Sequence, residues 1–134
     1  MTHGLLSRAG TASVAATVAA LQAALERRAV RVFAVIDHSA GAASVGLTLA
    51  DEVVVIFGNP AVGTAIMQAD PRSGIELPLR MLIWDDCGTT QIAYEDPHAL
   101  AERYAVPLSL PQLEGMASLM AQLADEAANP AAAS

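Results

Sequence analysis

The chain has no lysine, a single cysteine and very few aromatic residues. Its 134 residues carry 7 basic side chains, all arginine, against 14 acidic ones, for a net charge of −7. Nucleic-acid binding requires a dense basic face that displaces counterions, so we expect no nucleic-acid partner. The lone Cys87 excludes an internal disulfide and a multi-cysteine metal site.

Long apolar runs are also missing, although 54% of the residues are apolar. The longest candidate, Val53 to Phe57, has the length of a strand, whereas a membrane span needs about 18 apolar residues. No secretory signal is evident, so we expect a cytoplasmic protein that does not engage a membrane. The length suits one domain, which we predict over residues 1–128, with a mobile tail over residues 129–134.

Two stretches have the periodicity of amphipathic helices. The apolar face of the first, which ends near Arg28, carries Val14, Val18, Leu21 and Leu25. The apolar face of the second, in residues 112–128, carries Leu113, Met116, Met120, Leu123 and Ala127. Thr11 and Ser13 are both plausible N-caps of the first helix, because a hydroxyl accepts from unpaired helix N–H groups.

Five strands are predicted, at residues 4–9, 30–37, 51–57, 79–85 and 89–95. The last two flank a turn at Asp86-Cys87-Gly88 and form a hairpin. The uninterrupted apolar run of the third predicts a central position, and "DPRSGIELP" predicts a loop. Short helices are predicted after the second, third and fifth strands. We therefore predict an α+β two-layer sandwich, with two longer helices on a mainly antiparallel sheet.

Two strand exits share one pattern, "FGNP" and "YEDP". Asn59 and Asp96 are favoured N-caps, and Pro60 and Pro97 suit the first helical position because proline has no N–H to lose. This repetition favours a structural role for both exits. Helix N-termini also attract anions, so a place for Asn59 and Pro60 at the edge of a binding site stays open.

The "IDHS" segment contains the best single candidate for chemistry, His38. Asp37 or Ser39 is predicted to cap the short helix that follows. His38 then lies near the N-terminus of that helix, where the dipole disfavours an imidazolium and a neutral ring can act as a base or ligand. The alternative is an exposed histidine at a helix start. The three histidines show no metal-binding spacing.

Four stretches together resemble the bacterial domain-of-unknown-function 302 family. These stretches are "FAVIDHSAGAASVGLTL", "VVVIFGNPAVGTAIMQADP", "IELPLRMLIWDD" and "AYEDP". The resemblance implies a TBP-like fold with the order β-α-β4-α, and usually a homodimer. Asp37, His38, Asn59 and Tyr94 match the polar signature of the family, which implies no catalytic role for them.

Three functional hypotheses follow. The first is a dimeric binding module whose pocket, lined by His38, Phe57, Asn59, Trp84 and Tyr94, holds a small molecule or a planar cofactor such as haem. The second is an enzyme that uses Asp37 and His38 for acid–base chemistry, with Asp37 or Asp96 orienting the imidazole. The third is a structural dimer that serves as an interaction platform. We rank the binding module first, because a nucleophile, base and orienting residue cannot be assembled from the sequence.

Overall fold

A computed structural model describes residues 4–130. Its strands are β1 (Leu5–Ala9), β2 (Arg31–Asp37), β3 (Glu52–Gly58), β4 (Leu79–Asp86) and β5 (Thr89–Glu95). Its α-helices are α1 (Val14–Arg27), α2 (His38–Ser44), α3 (Pro60–Ala69), α4 (Ala99–Arg103) and α5 (Pro111–Ala128). A 3₁₀ helix at Pro71–Ile75 replaces the first part of the predicted loop "DPRSGIELP", because Pro71 and the side chain of Asp70 start a helical turn there.

The five strands form one antiparallel sheet in the order β1-β5-β4-β3-β2. Helices α1 and α5 pack against each other and against the same face of this sheet. The α+β two-layer sandwich and the order β-α-β4-α are thereby confirmed. The middle strand of the five is β4. Strand β3 lies next to it in the interior of the sheet, with β2 and β4 on its two sides, as its apolar run predicts.

The main core lies between the helix pair and the sheet. Both predicted helix faces are buried as expected, and Leu21, Leu25 and Leu123 have no exposed surface. Phe57, Met81 and Ile92 supply the facing side chains of three neighbouring strands. Each fully buried side chain of this size contributes about 1.5–3 kcal/mol, so this contact holds the two layers together.

Three caps hold the helices as the sequence indicates. The side chains of Ser13, Asp37 and Asn59 accept from backbone N–H groups in the first turns of α1, α2 and α3. Asp96 accepts from the N–H of His98 at 3.0 Å and so caps a turn ahead of α4, whose own N-cap is His98. Helix α2 follows β2 directly and ends at Ser44.

Among the helices of residues 4–130, none combines the length and hydropathy that a membrane span requires. Helix α5 ends at Ala128. Residues 131–134 of the predicted mobile tail lie outside the described residues.

The hairpin turn between β4 and β5 has positive φ at both central residues, 53° at Cys87 and 96° at Gly88. That combination is a type I′ turn, which matches the twist of a hairpin and favours Asn-Gly. Asp85 supports the turn by accepting from the N–H of Gly88 at 2.8 Å. Cys87 is exposed, so its side chain brings no burial to offset the left-handed conformation.

Replacing Cys87 with asparagine is therefore expected to raise the free energy of unfolding by about 0.5 kcal/mol, because asparagine adopts positive φ more readily. Cys87→Val is the control and is expected to lower it by about 1 kcal/mol, because a β-branched residue resists this conformation. Urea unfolding of the three proteins measures both changes. Equal stability of the Asn and Val variants would contradict the assigned turn.

Candidate functional site

The most ligand-like cavity lies between α3, the segment that leads into β4, and the first half of α5. We call it the α3 groove; its volume is about 330 Å³. It is lined by Phe33, Gly58, Asn59, Pro60, Val62, Gly63, Thr64, Met67, Gly74, Leu77, Pro78, Leu79, Met116 and Leu119. Asn59 and Thr64 are the polar side chains of this lining, which has no charged residue. A volume above about 300 Å³ with apolar walls is typical of small-molecule sites.

Two glycines lie where the walls of the α3 groove meet, and one of them, Gly74, permits a close approach. A Cβ at Gly58 would lie 3.6 Å from Pro78 and 3.8 Å from the ring of Phe33, so "FGNP" and "LP" meet there. A Cβ at Gly74 would lie 3.1 Å from the sulfur of Met67, which is tighter than ordinary van der Waals contact. The Leu77–Pro78 peptide is cis. Two family-like motifs that are separated in sequence therefore form adjacent walls of one cavity.

A polar network fixes the segment that forms the outer wall. The carboxylate of Asp70 accepts from the guanidinium of Arg72 at 2.7 Å and from the N–H of Ala105 at 2.9 Å. Hydrogen bonds from Arg72 and then from Ala105 hold the pKa of Asp70 well below its ordinary value. The network thus ties the 3₁₀ helix to the chain after α4.

Glu76 anchors the same segment a few residues later. Its carboxylate accepts from the hydroxyl of Tyr104 at 2.8 Å and from Arg103 at 2.7 Å. Burial opposes ionisation of Glu76, but the bonds from Tyr104 and Arg103 outweigh it and lower its pKa. The charged groups of Asp70, Arg72, Glu76 and Arg103 stabilise the wall of the groove, and none of them lines the cavity.

His38, the leading sequence candidate, is exposed at the start of α2 and lines none of the three cavities described in this section. The carboxylate of Asp37 accepts from Ser39 at 2.6 Å and from the N–H of Ala40 at 2.9 Å, and these bonds lower its pKa. Asp96 bonds His98 instead. Within residues 4–130, the carboxylate–imidazole arrangement needed for acid–base chemistry is therefore not formed around His38.

The five predicted pocket residues do not share one cavity. Phe57 and Tyr94 belong to the main core under the helices, where burial raises the pKa of Tyr94. Trp84 lies on the opposite face, because it follows the core residue Met81 by three positions of an alternating strand. Asn59 caps α3 and lines the α3 groove.

Two further cavities have less to offer a ligand. One of about 180 Å³ lies between the start of β4 and the end of β5, where Arg80, Tyr94 and Met120 line it. Another of about 490 Å³ lies beside the β4–β5 turn. Two of its polar side chains are already engaged, since Asp85 accepts from Gly88 and the Thr90 hydroxyl donates to the carbonyl of Ala12 at 2.6 Å.

One ionisable cluster escaped prediction. The ring of His98 lies between two carboxylates, with Nδ1 2.8 Å from Asp96 and Nε2 2.8 Å from Glu114. Glu114, and then Asp96, raise the pKa of His98. Because both ring nitrogens are engaged, His98 links the end of β5 to the first turn of α5. We call Asp96, His98 and Glu114 the His98 clasp. The spacing of 16 residues between His98 and Glu114 gives no local signal that could have revealed it.

The model for the domain of unknown function DUF302 matches residues 7–127. The chain belongs to the DUF302 family. A crystal structure of an uncharacterised conserved DUF302 protein from Bacillus stearothermophilus superposes with a TM-score of 0.74 at 16% identity, over 95% of this chain and 97% of that one. At that identity the likeness shows the fold alone.

Curated relatives of this DUF302 chain include the fluoride-specific ion channels FluC 1 of Brucella suis and FluC 2 of Brucella melitensis. Each is 38% identical over 107 residues, which is 79% of this chain. The match covers 42% of the first relative and 40% of the second, so the chain spans less than half of their length.

The His98 clasp predicts a pH-dependent stability. The pKa of His98 is raised in the folded protein. The clasp therefore stabilises the fold fully below the unfolded pKa near 6.5, and this stabilisation is lost as the pH rises through the folded pKa. His98→Gln is expected to destabilise the protein at pH 5.5 by up to about 1 kcal/mol, the scale of a solvent-screened pair, and by less at pH 9. Glu102→Gln, at an exposed carboxylate of α4, is the control. A His98→Gln effect that is equal at both pH values would contradict the clasp.

Proposed function

We propose that this DUF302 domain is a binding module that holds a small, largely apolar molecule in the α3 groove. The observation that carries the proposal is the lining: an open cavity of about 330 Å³ has two polar side chains and no charge. The oxygen of Asn59 is already engaged with the N–H of Ala61 at 3.0 Å, so it offers little to an anion. Affinity in such a cavity comes mainly from burial of apolar surface.

Haem does not fit this site. A haem-binding protein supplies an axial ligand, and the lining of the α3 groove contains no histidine, cysteine or tyrosine. The thioethers of Met67 and Met116 do line the groove, but methionine ligates haem iron together with a histidine, which the lining lacks. His38, the ligand expected from the sequence, is exposed and outside the groove. We therefore assign the groove to a metal-free organic ligand.

Fluoride is also a poor match for the α3 groove. The name of the Brucella relatives concerns proteins of which this chain spans less than half. A site for a small anion needs cationic side chains or converging N–H groups, and no arginine lines the groove. Five of the seven arginines are held by carboxylates elsewhere, namely Arg8, Arg27, Arg28, Arg72 and Arg103.

A second copy of the chain is the partner we propose for this module. The support is a run of twenty residues, Arg31 to Ala50, of which none is buried although many are apolar. Monomeric proteins rarely leave such a continuous apolar surface open to water. The cytoplasm remains the compartment expected from the sequence.

Gly63 provides a direct test of the groove, because it lies inside α3 and faces the cavity. A Cβ at Gly63 would lie 4.0 Å from Leu77 and from Met67, so a larger side chain enters the groove without a backbone clash. Gly63→Leu is expected to weaken binding of the neutral fluorophore N-phenyl-1-naphthylamine at least tenfold, an effect of about 1.4 kcal/mol. Fluorescence titration measures it.

Gly115→Leu is the matched control. Gly115 is also inside a helix, α5, but an added Cβ there meets no atom within 4 Å. Both substitutions improve helix propensity by a similar amount, about 1 kcal/mol, so a difference in fluorophore binding reports the cavity itself. Equal binding by the two variants would overturn the proposal.

A further inference from the structure

Arg31 lies beside the mouth of the α3 groove. It is the first residue of β2, and its direct partner in β3 is Gly58, which lines the groove. The guanidinium of Arg31 lies over the ring of Phe33, 5.7 Å from the ring centroid, and this ring also lines the groove. Phe33 is 47% exposed, so it forms the rim of the cavity and not its floor. Arg31 itself is exposed and lies just outside the lining.

A β-bulge in β2 positions the ring of Phe33. The register of β2 against β3 shifts between Val32 and Ala34, so Phe33 is an extra residue without a partner in β3. Such bulges re-aim a side chain and are frequent next to functional sites. Here the ring lies against Gly58, where an added Cβ would be 3.8 Å from it. The bulge therefore places Phe33 between Arg31 and the groove.

Arg31 is not committed to a carboxylate of its own chain. Five of the seven arginines form ion pairs, namely Arg8, Arg27, Arg28, Arg72 and Arg103. Within residues 4–130, Arg31 and Arg80 form none, and of these two Arg31 has its guanidinium against a ring of the groove lining. At a net charge of −7, the chain as a whole repels anions, so an anionic ligand needs a local cation of this kind.

The groove and Arg31 suit the two ends of one molecule. The lining has no charged side chain, so the groove favours an apolar body and disfavours a buried charge. A guanidinium is planar and presents its N–H groups in a fork that matches a carboxylate, and the face of Phe33 favours the cation further. A ligand that fills the groove can extend its charged end past the ring of Phe33 to Arg31, where the charge stays in contact with water.

The geometry points to an amphiphilic carboxylate as the ligand, with its apolar chain in the α3 groove and its carboxylate accepting hydrogen bonds from Arg31 at the rim. This inference rests on the proposed function and narrows its ligand class. Arg31 is the residue that selects an anionic end over a neutral one. A small anion without an apolar chain is not expected to bind, because a single exposed ion pair contributes little by itself.

Competition between decanoate and 1-decanol tests the role of Arg31, because the two molecules have the same carbon chain and differ in their polar end. Each is titrated against bound N-phenyl-1-naphthylamine at pH 8, where decanoate is ionised. Arg31→Gln is expected to weaken decanoate about fivefold relative to decanol, the upper end of what an exposed ion pair contributes. Both competitors occupy the same groove, so a change in folding or assembly affects them alike and cancels in the ratio.

Two matched variants separate the position of the charge from the net charge. Arg31→Lys keeps the cation but loses the fork, so it is expected to retain part of the preference for decanoate. Arg8→Gln removes the same charge from β1, at the opposite edge of the sheet, and is expected to keep the parent ratio. The preference of the parent is also expected to shrink at high salt, because the proposed ion pair is exposed.

The outcomes distinguish this inference from the proposed function. An unchanged ratio in Arg31→Gln, or an equal change in Arg8→Gln, would refute the role of Arg31 and leave the α3 groove intact as a site for neutral ligands. Failure of the groove appears elsewhere: neither competitor displaces the fluorophore, or Gly63→Leu and Gly115→Leu bind it equally. That result would remove the proposed function and this inference together.

Discussion

The antiparallel pairing of β2 with β3 is the constraint on which the rest of this structure depends. It places Arg31 opposite Gly58 and Asp37 opposite Val53, so the exits of the two strands point to opposite ends of the sheet. The "FGNP" exit leads into α3 and the groove, and the "IDH" exit leads into α2 and solvent. Any site that uses both motifs therefore needs a second chain, or else only one of them belongs to the site.

The shape of the α3 groove depends on two features: the position at which α3 begins, and the contacts that fix the segment between α3 and β4. Asn59 and Pro60 begin α3 immediately after β3, and the segment between α3 and β4 returns past the helix with Gly74 against Met67. Buried carboxylate contacts at Asp70 fix this return. The charges that hold the wall point away from the cavity, so the same segment is rigid and apolar where a ligand would touch it.

Local rules predict much of this fold and little of its site. The two helix faces, the β4–β5 hairpin and the caps at Ser13, Asp37 and Asn59 depend on neighbours within a few residues, so periodicity and capping chemistry suffice. A 3₁₀ helix formed in a predicted loop, because so short a helix depends on the details of a single turn. The middle position of β4 depends on strand order, which composition does not encode.

The site depends on contacts between distant parts of the chain. Phe57 and Trp84 looked alike as aromatic residues near strand ends, yet strand register puts them on opposite faces of the sheet. The groove is formed only where Phe33, Pro78 and Met116 come together, and their spacing in the sequence does not predict this contact. His38 has the chemistry of a base or ligand, but it is exposed and lies outside the groove, and neither property can be inferred from its neighbours in the sequence.

The most direct test of the α3 groove as a ligand site is a methyl NMR titration of the protein with N-phenyl-1-naphthylamine. Met67 and Met116 line the groove, whereas Met81 lies in the main core between the helices and the sheet. The account predicts that the methyl shifts of Met67 and Met116 change as the fluorophore is added and that the shift of Met81 stays constant. Shift changes confined to Met81, or none at a saturating concentration, would contradict it.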